Sequence, residues 1–202
     1  MVPLLFERFA AHTSVVSVDL PAHGESPGAF EDLTFPTLDD AIDSFIDANA
    51  LERRVVLVGH SMGGVLAYRA AARRADVAAV VLLAPGFEVV SRFLTDLKER
   101  ALRDGTAVFS QASREYRVSR AFFESRVFDF RALAPEVAQP ALIVIGDLDH
   151  TVGQEACRTL ASAVSRGSFI LAEGEGHDLT GLSYWSSIVS FISDLDSEAR
   201  GI

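Results

Sequence analysis

The sequence predicts an α/β fold: a mostly parallel sheet with helices on both faces. Three observations carry this. Short aliphatic runs alternate with stretches whose apolar residues recur at helical spacing. The run Val55-Val-Leu-Val58 is apolar along its whole length, as strands buried on both faces of a parallel sheet are. That run stops at Gly59, and a helical pattern starts three residues later at Met62. That is a strand turning abruptly into a helix, the basic unit of such folds.

Taken in order, Leu4–Ala11 reads as the end of a helix and Val15–Asp19 as a strand. The loop Leu20–Ala29 follows. Leu38–Ala50 is an amphipathic helix, with Ala41, Ile42, Phe45 and Ile46 on one face and Asp39, Asp40, Asp43 and Asp47 elsewhere. Val55–Val58 is a strand, and the helix after it carries Val65, Leu66, Tyr68, Ala70 and Ala71. Val77–Ala84 is a strand ended by Pro85-Gly86. Ala141–Ile145 and Ser168–Leu171 are strands, and Ser183–Leu195 is a closing helix with Trp185, Ile188, Val189, Phe191 and Ile192. Between Gly86 and Pro140 no strand is expected, only helical pieces at Glu88–Arg103 and Ser119–Val127. This stretch, at about 86–138, is expected to be a small helical cap inserted into a single domain spanning 1–202, because ligands in such sheets sit beyond the carboxyl ends of the strands and it leaves from one. The bland alternative is a helical insertion that only packs on the sheet.

Composition excludes several classes. At 202 residues the chain supports one domain with a sizeable core. Hydrophobic residues make up 49% and charged residues 23%, the balance of a globular protein. The net charge of −10 argues against nucleic acid or an anionic membrane surface as partner. No run reaches membrane-spanning length, and Met1–Arg8 is too short and too charged for a signal peptide. The one cysteine, Cys157, allows no internal disulfide and is expected as a buried small hydrophobe; a cytoplasmic location is the expectation. No His, Cys or Asp cluster has ligand spacing, so no metal and no cofactor are expected. Nothing in the sequence sets the oligomeric state.

The chemistry is written at the turn. Gly59-His-Ser61-Met-Gly63 puts glycines two before and two after a serine, where small residues relieve the strain of a sharp strand-to-helix turn. A glycine-rich turn with Ser61 as a helix N-cap has the same composition. The strand before and the helix after favour a nucleophile. A serine hydroxyl is a poor nucleophile at neutral pH, so it needs a base, and the base needs an orienting carboxylate. Both are found in suitable contexts. Gly146-Asp-Leu-Asp149 follows the strand Ala141–Ile145, and Glu173-Gly-Glu-Gly-His177 follows the strand Ser168–Leu171. Asp149 is taken as the acid and His177 as the base, while either Asp147 or Asp149 could instead cap the next helix. The Met62 N–H, next after the serine, is the expected oxyanion donor. His60 is expected to pack beneath the turn. Phe87, Phe93, Phe122 and Phe123 are candidates for an apolar acyl pocket, against the commoner reading of such rings as core.

At these residues the chain resembles the α/β-hydrolase superfamily. Val18-Asp-Leu-Pro-Ala-His-Gly-Glu-Ser26 resembles the family's loop after its second conserved strand, with Ala22 where Gly is usual. Gly59–Gly63 resembles its nucleophile elbow, Gly146–Asp149 its acid motif with the second aspartate as acid, and Gly174–His177 its histidine loop. The 28 residues from Asp149 to His177 are a usual family separation. His23–Thr34 and Ser119–Glu124 are similar to the feruloyl/cinnamoyl-esterase and serine-aminopeptidase-like group.

The resemblance implies an enzyme that hydrolyses a carboxylic ester of a small or medium-sized molecule through an acyl-enzyme. An acyltransferase, a thioesterase or a cofactor-free haloperoxidase would use the same residues, and a degenerate binding protein is the non-enzymatic alternative. The resemblance also implies an interior strand ending in His-Gly ahead of the chain's first helix. Met1 falls after that point, so the chain is expected to be N-terminally truncated and, as 202 residues, unstable and weakly active.

Overall fold

The structure is a computed structural model, and it describes residues 14–49, 54–111, 113–126, 129–181 and 183–200 together with Glu7, Phe9 and Ala10. The helix end expected at Leu4–Ala11 falls largely on residues outside this set, as does Val127. The chain divides into two compact units, one of residues 1–53 and 89–129, the other of 54–88 and 130–202.

The second unit holds the sheet. Its strands are β1 (Val55–His60), β2 (Val77–Leu83), β5 (Ala141–Gly146) and β6 (Gly167–Ala172), in spatial order β1-β2-β5-β6 and all parallel. Each strand is a short aliphatic run, and β2 and β5 are buried almost throughout. Val80, Leu82, Ile143 and Ile145 share one face. They form a single cluster with Tyr68 and Ala71 of the helix Met62–Arg73, and with Cys157 and Leu160 of the helix Gln154–Ala163. Val81, Leu83, Leu142 and Val144 alternate to the opposite face and are buried too. Burying a side chain of this size stabilises the fold by about 1.5–3 kcal/mol, so these layers dominate the unit's stability. Cys157 lies inside the cluster, where burial pushes its thiol up to about 12.

β1 departs from its expected doubly buried position. It forms an edge of the described sheet, its residues are half-buried, and Val58 is 38% exposed. A second departure concerns Val15–Asp19. Residues 14–20 have no regular structure, and Val16 is 59% exposed. Aliphatic composition favours extended backbone, but a strand also needs a neighbour for its ladder, and no described residue pairs with this one.

The first unit contains the helix Phe35–Asn49, the helix Arg92–Asp104, an antiparallel hairpin of β3 (Thr106–Gln111) and β4 (Arg114–Ser119), and the short helix Arg120–Ser125. The hairpin corrects the expectation of a purely helical insertion. Ala107 pairs with Val118 and Phe109 with Tyr116, a period-2 pattern that places these side chains together on one face. Ala107 and Val118 join Leu97, Ala101 and Phe123 in a small core. The hairpin turn passes through Ser113 at φ 62°, a left-handed conformation usually given to Gly or Asn. Phe35 N–H donates to Ser125 Oγ at 3.0 Å, tying the start of one helix to the end of another. No helix among the described residues is long and apolar enough to cross a membrane.

Candidate active site

Parallel strands deliver their loops to one end, and all three polar residues singled out at the turn and in the two late loops follow strand carboxyl ends. Ser61 comes directly after β1. Its backbone is held at φ 53° and ψ −114°, a conformation that costs a non-glycine residue about 1–3 kcal/mol and persists only where the surroundings enforce it. They do so here through hydrogen bonds. Ser61 N–H donates to Leu83 O at the end of β2 at 2.8 Å. The Ser61 carbonyl accepts from Gly64 N–H at 3.1 Å and from Gly86 N–H at 3.1 Å.

The glycines around the serine are not equivalent. A Cβ on Gly59 would collide with the Gly63 carbonyl, so β1 can lie against the first helical turn only without a side chain there. A Cβ on Gly63 would meet nothing within 4 Å; the second close approach is at Gly64, where it would stand 3.0 Å from Pro85 Cβ. On the helix side of the serine the tight position is thus Gly64 rather than Gly63.

Ser61, His177 and Asp149 form one hydrogen-bonded series. Ser61 Oγ lies 3.1 Å from His177 Nε2, and His177 Nδ1 lies 2.9 Å from Asp149 Oδ2. A carboxylate can only accept, so His177 Nδ1–H donates to it. This leaves Nε2 free to accept the serine proton. Asp149 is 6% exposed, and its other oxygen accepts from Thr151 N–H at 2.7 Å and Val152 N–H at 3.0 Å. Asp149 does not cap the next helix, whose N-cap is Gly153; one of its oxygens meets the imidazole and the other the turn at Thr151 and Val152. Burial pushes this carboxyl up, but the bonds from His177, Thr151 and Val152 outweigh it and hold it below the usual aspartate value. Asp147 is turned elsewhere: its Oδ1 accepts from Gly174 N–H at 2.8 Å, bridging the loops after β5 and β6.

Met62 is the first residue of the helix Met62–Arg73, where a backbone N–H has no partner within the helix, and its N–H makes no hydrogen bond among the described residues. The arrangement can therefore supply a hydroxyl, a base to take its proton, a carboxylate to fix the base, and an unused N–H beside the hydroxyl.

The candidate pocket phenylalanines separate. Phe87 packs edge-on against Tyr68 at 5.2 Å and beside Phe130 at 5.1 Å, both in the sheet-bearing unit. The other three lie in the first unit. Phe93 is 52% exposed and faces Phe109. Phe122 lies between Phe35 and Phe123, and Phe123 is in that unit's core.

Two residues near the series carried no functional signal in the sequence. His60 does more than pack beneath the turn: its Nε2 donates to the His177 backbone carbonyl at 2.8 Å, and the two rings lie 4.9 Å apart. Glu175, in the histidine loop, is 4% exposed. The flanking glycines of that loop mark a turn but give no hint that its glutamate is buried.

A model of the alpha/beta hydrolase family matches residues 1–185. A pimeloyl-[acyl-carrier protein] methyl ester esterase of Xanthomonas campestris pv. campestris (strain B100) is 27% identical over 210 aligned residues, covering 86% of this chain and 81% of the relative. Among solved structures, Est1E from Butyrivibrio proteoclasticus with ferulic acid bound superimposes with a TM-score of 0.72 at 19% identity, covering 89% of this chain and 76% of that one. The monoacylglycerol lipase of Paleococcus ferrophilus does so with a TM-score of 0.70 at 21% identity, covering 88% and 82%. At these identities the two structures speak to the fold.

Proposed function

Because the chain belongs to the alpha/beta hydrolase family, we propose that it is a serine esterase that cleaves a carboxylic ester of a small or medium-sized molecule through an acyl-enzyme. In this reading Ser61 Oγ attacks the acyl carbonyl carbon while its proton passes to His177 Nε2. The carbonyl oxygen becomes an oxyanion and accepts from Met62 N–H. The tetrahedral intermediate collapses, the C–O bond to the alcohol breaks, and the alcohol leaves with the proton from His177. Water then attacks the Ser61 ester, giving its proton to the same nitrogen. The acid departs and Ser61 recovers its proton. Asp149 holds the imidazole in the required tautomer throughout and stabilises its charged form.

The observation that carries the reading is the series Ser61–His177–Asp149, with separations of 3.1 and 2.9 Å, beside the Met62 N–H, which makes no hydrogen bond among the described residues. The relative named as a methyl ester esterase supports an ester as the substrate class. Phe87, in the same unit as Ser61, belongs to the same proposal as a residue against the acyl chain.

A series of p-nitrophenyl esters of increasing acyl length tests it. The wild-type chain should hydrolyse at least the shorter members, and Ser61→Ala should hydrolyse none above background. Phe87→Ala should shift the preferred length. A wild-type chain that turns over no member of the series would leave the binding-protein reading in its place.

A further inference from the structure

Three charged side chains are buried among the described residues: Asp39 at 7% exposed, Asp149 at 6% and Glu175 at 4%. The mechanism above uses Asp149. It gives no work to Glu175, the least exposed of the three, although this residue stands two positions before His177. A buried carboxylate is costly unless hydrogen bonds replace its water, so its partners indicate what it does.

Those partners lie on the far side of the histidine. Glu175 Oε2 accepts from Gly181 N–H at 2.8 Å, and Oε1 accepts a longer bond, 3.4 Å, from Ser183 N–H. The backbone at Gly181 passes close to the carboxylate: a Cβ there would stand 2.6 Å from Glu175 Oε1. Gly181 and Ser183 are thus both drawn to the one carboxylate. Leu179 N–H donates to Gly176 O at 3.2 Å and Tyr184 Oη–H donates to Leu179 O at 2.7 Å, tightening the histidine loop. The backbone of Glu175 is pinned on the other side. Its carbonyl accepts from Leu148 N–H at 2.9 Å, in the loop that carries Asp149. That carbonyl also lies so close to Gly146 that a Cβ there would collide with it. His177 therefore sits between two fixed points of chain. One is joined to the acid's loop by the backbone of Glu175, the other to Glu175 by its side chain.

We infer that Glu175 is a positioning residue for His177. Resting on the serine-esterase reading, its role is to close the histidine loop so that the imidazole reaches Ser61 and Asp149 at the same time. What matters in this role is the reach of the carboxylate to Gly181 N–H rather than its charge. The substitutions Glu175→Gln and Glu175→Asp separate these two properties. Glutamine keeps the length and one acceptor oxygen but not the charge. Aspartate keeps the charge but is one methylene short of Gly181.

The experiment measures kcat and KM on p-nitrophenyl acetate for the wild type, Glu175→Gln, Glu175→Asp and Glu175→Ala. It also records the downfield proton resonance of the imidazole N–H bonded to Asp149. The result expected is that Glu175→Gln keeps most of the wild-type kcat and the downfield resonance. Glu175→Asp and Glu175→Ala should lose kcat by on the order of 10²-fold, the effect of misplacing a reacting group by about an ångström. KM should change little and the resonance should broaden or vanish. If Glu175→Ala does not fold, the glutamine and aspartate variants carry the comparison. Glutamine no better than aspartate in both readouts overturns the inference. Should the wild type hydrolyse no ester, the esterase reading fails, while the resonance in the same variants still decides the role of Glu175.

Discussion

His60 Nε2 donates to the backbone carbonyl of His177 at 2.8 Å, so the side chain just before the serine holds the backbone of the residue bonded to that serine. The bond spans 117 positions and requires Nε2 of His60 to carry its proton. Burial lowers the His60 pKa from its ordinary 6.5, outweighing the His177 carbonyl, which favours the charged form; Asp178 and Asp149 raise it and His177 lowers it further.

A pH dependence of stability follows. The folded state takes up the His60 proton at lower pH than the unfolded state, so the stabilisation is complete above about 6.5 and declines as pH falls below it. The slope from this one proton is at most about 1.4 kcal/mol per pH unit. The melting temperature of the wild type should fall between pH 7.5 and 5.5. In His60→Gln, which keeps an N–H but does not titrate, that fall should be smaller. Identical profiles would remove His60 as the cause. Asp149, held below its ordinary 3.8, adds stability that is present above 3.8 and lost only at still lower pH, outside this window.

The two aspartates after β5 should respond oppositely to substitution. Asp149→Asn leaves an amide opposite the imidazole and favours the wrong tautomer, so turnover should fall by about 10³–10⁴. Asp147→Ala loses the bond to Gly174 N–H, which should cost about 0.5–1.5 kcal/mol of stability and leave turnover within a few-fold. Ester hydrolysis and thermal melting of both variants check this. Equal loss of turnover in the two would contradict the assignment.

Gly59 and Gly63 should also part company. Gly59→Ala forces a Cβ into the Gly63 carbonyl, and the overpacking should cost about 1–3 kcal/mol or more. Gly63→Ala adds a methyl in open space inside a helix, where alanine is the better residue by about 0.5–1 kcal/mol. Melting curves should show the first variant below the wild type and the second level with it or above. A destabilised Gly63→Ala would mean that its space is not free.

The sequence exposed most of the sheet because β1, β2, β5 and β6 are aliphatic runs bounded by glycine, proline or charge, and local composition decides such strands. It concealed the β3–β4 hairpin. There the alternation covers few residues and is broken by Val108 on the otherwise polar face, and the turn through Ser113 lacks the usual glycine. It overstated Val15–Asp19, because extended backbone is a local property and a ladder is not. The geometry at Ser61, Asp149 and His177 was legible because each residue stands in a short motif next to a strand end. His60 and Glu175 were not, because their bonds run to distant backbone groups or depend on burial. Neither leaves a trace in local spacing.

Labelling with a fluorophosphonate, followed by intact-mass and peptide mapping, tests Ser61 as the nucleophile most directly. The wild-type chain should gain the mass of one phosphonyl group, located on Ser61, and Ser61→Ala should gain none. Labelling that persists in Ser61→Ala, or a folded wild type that takes up no phosphonate, would contradict it.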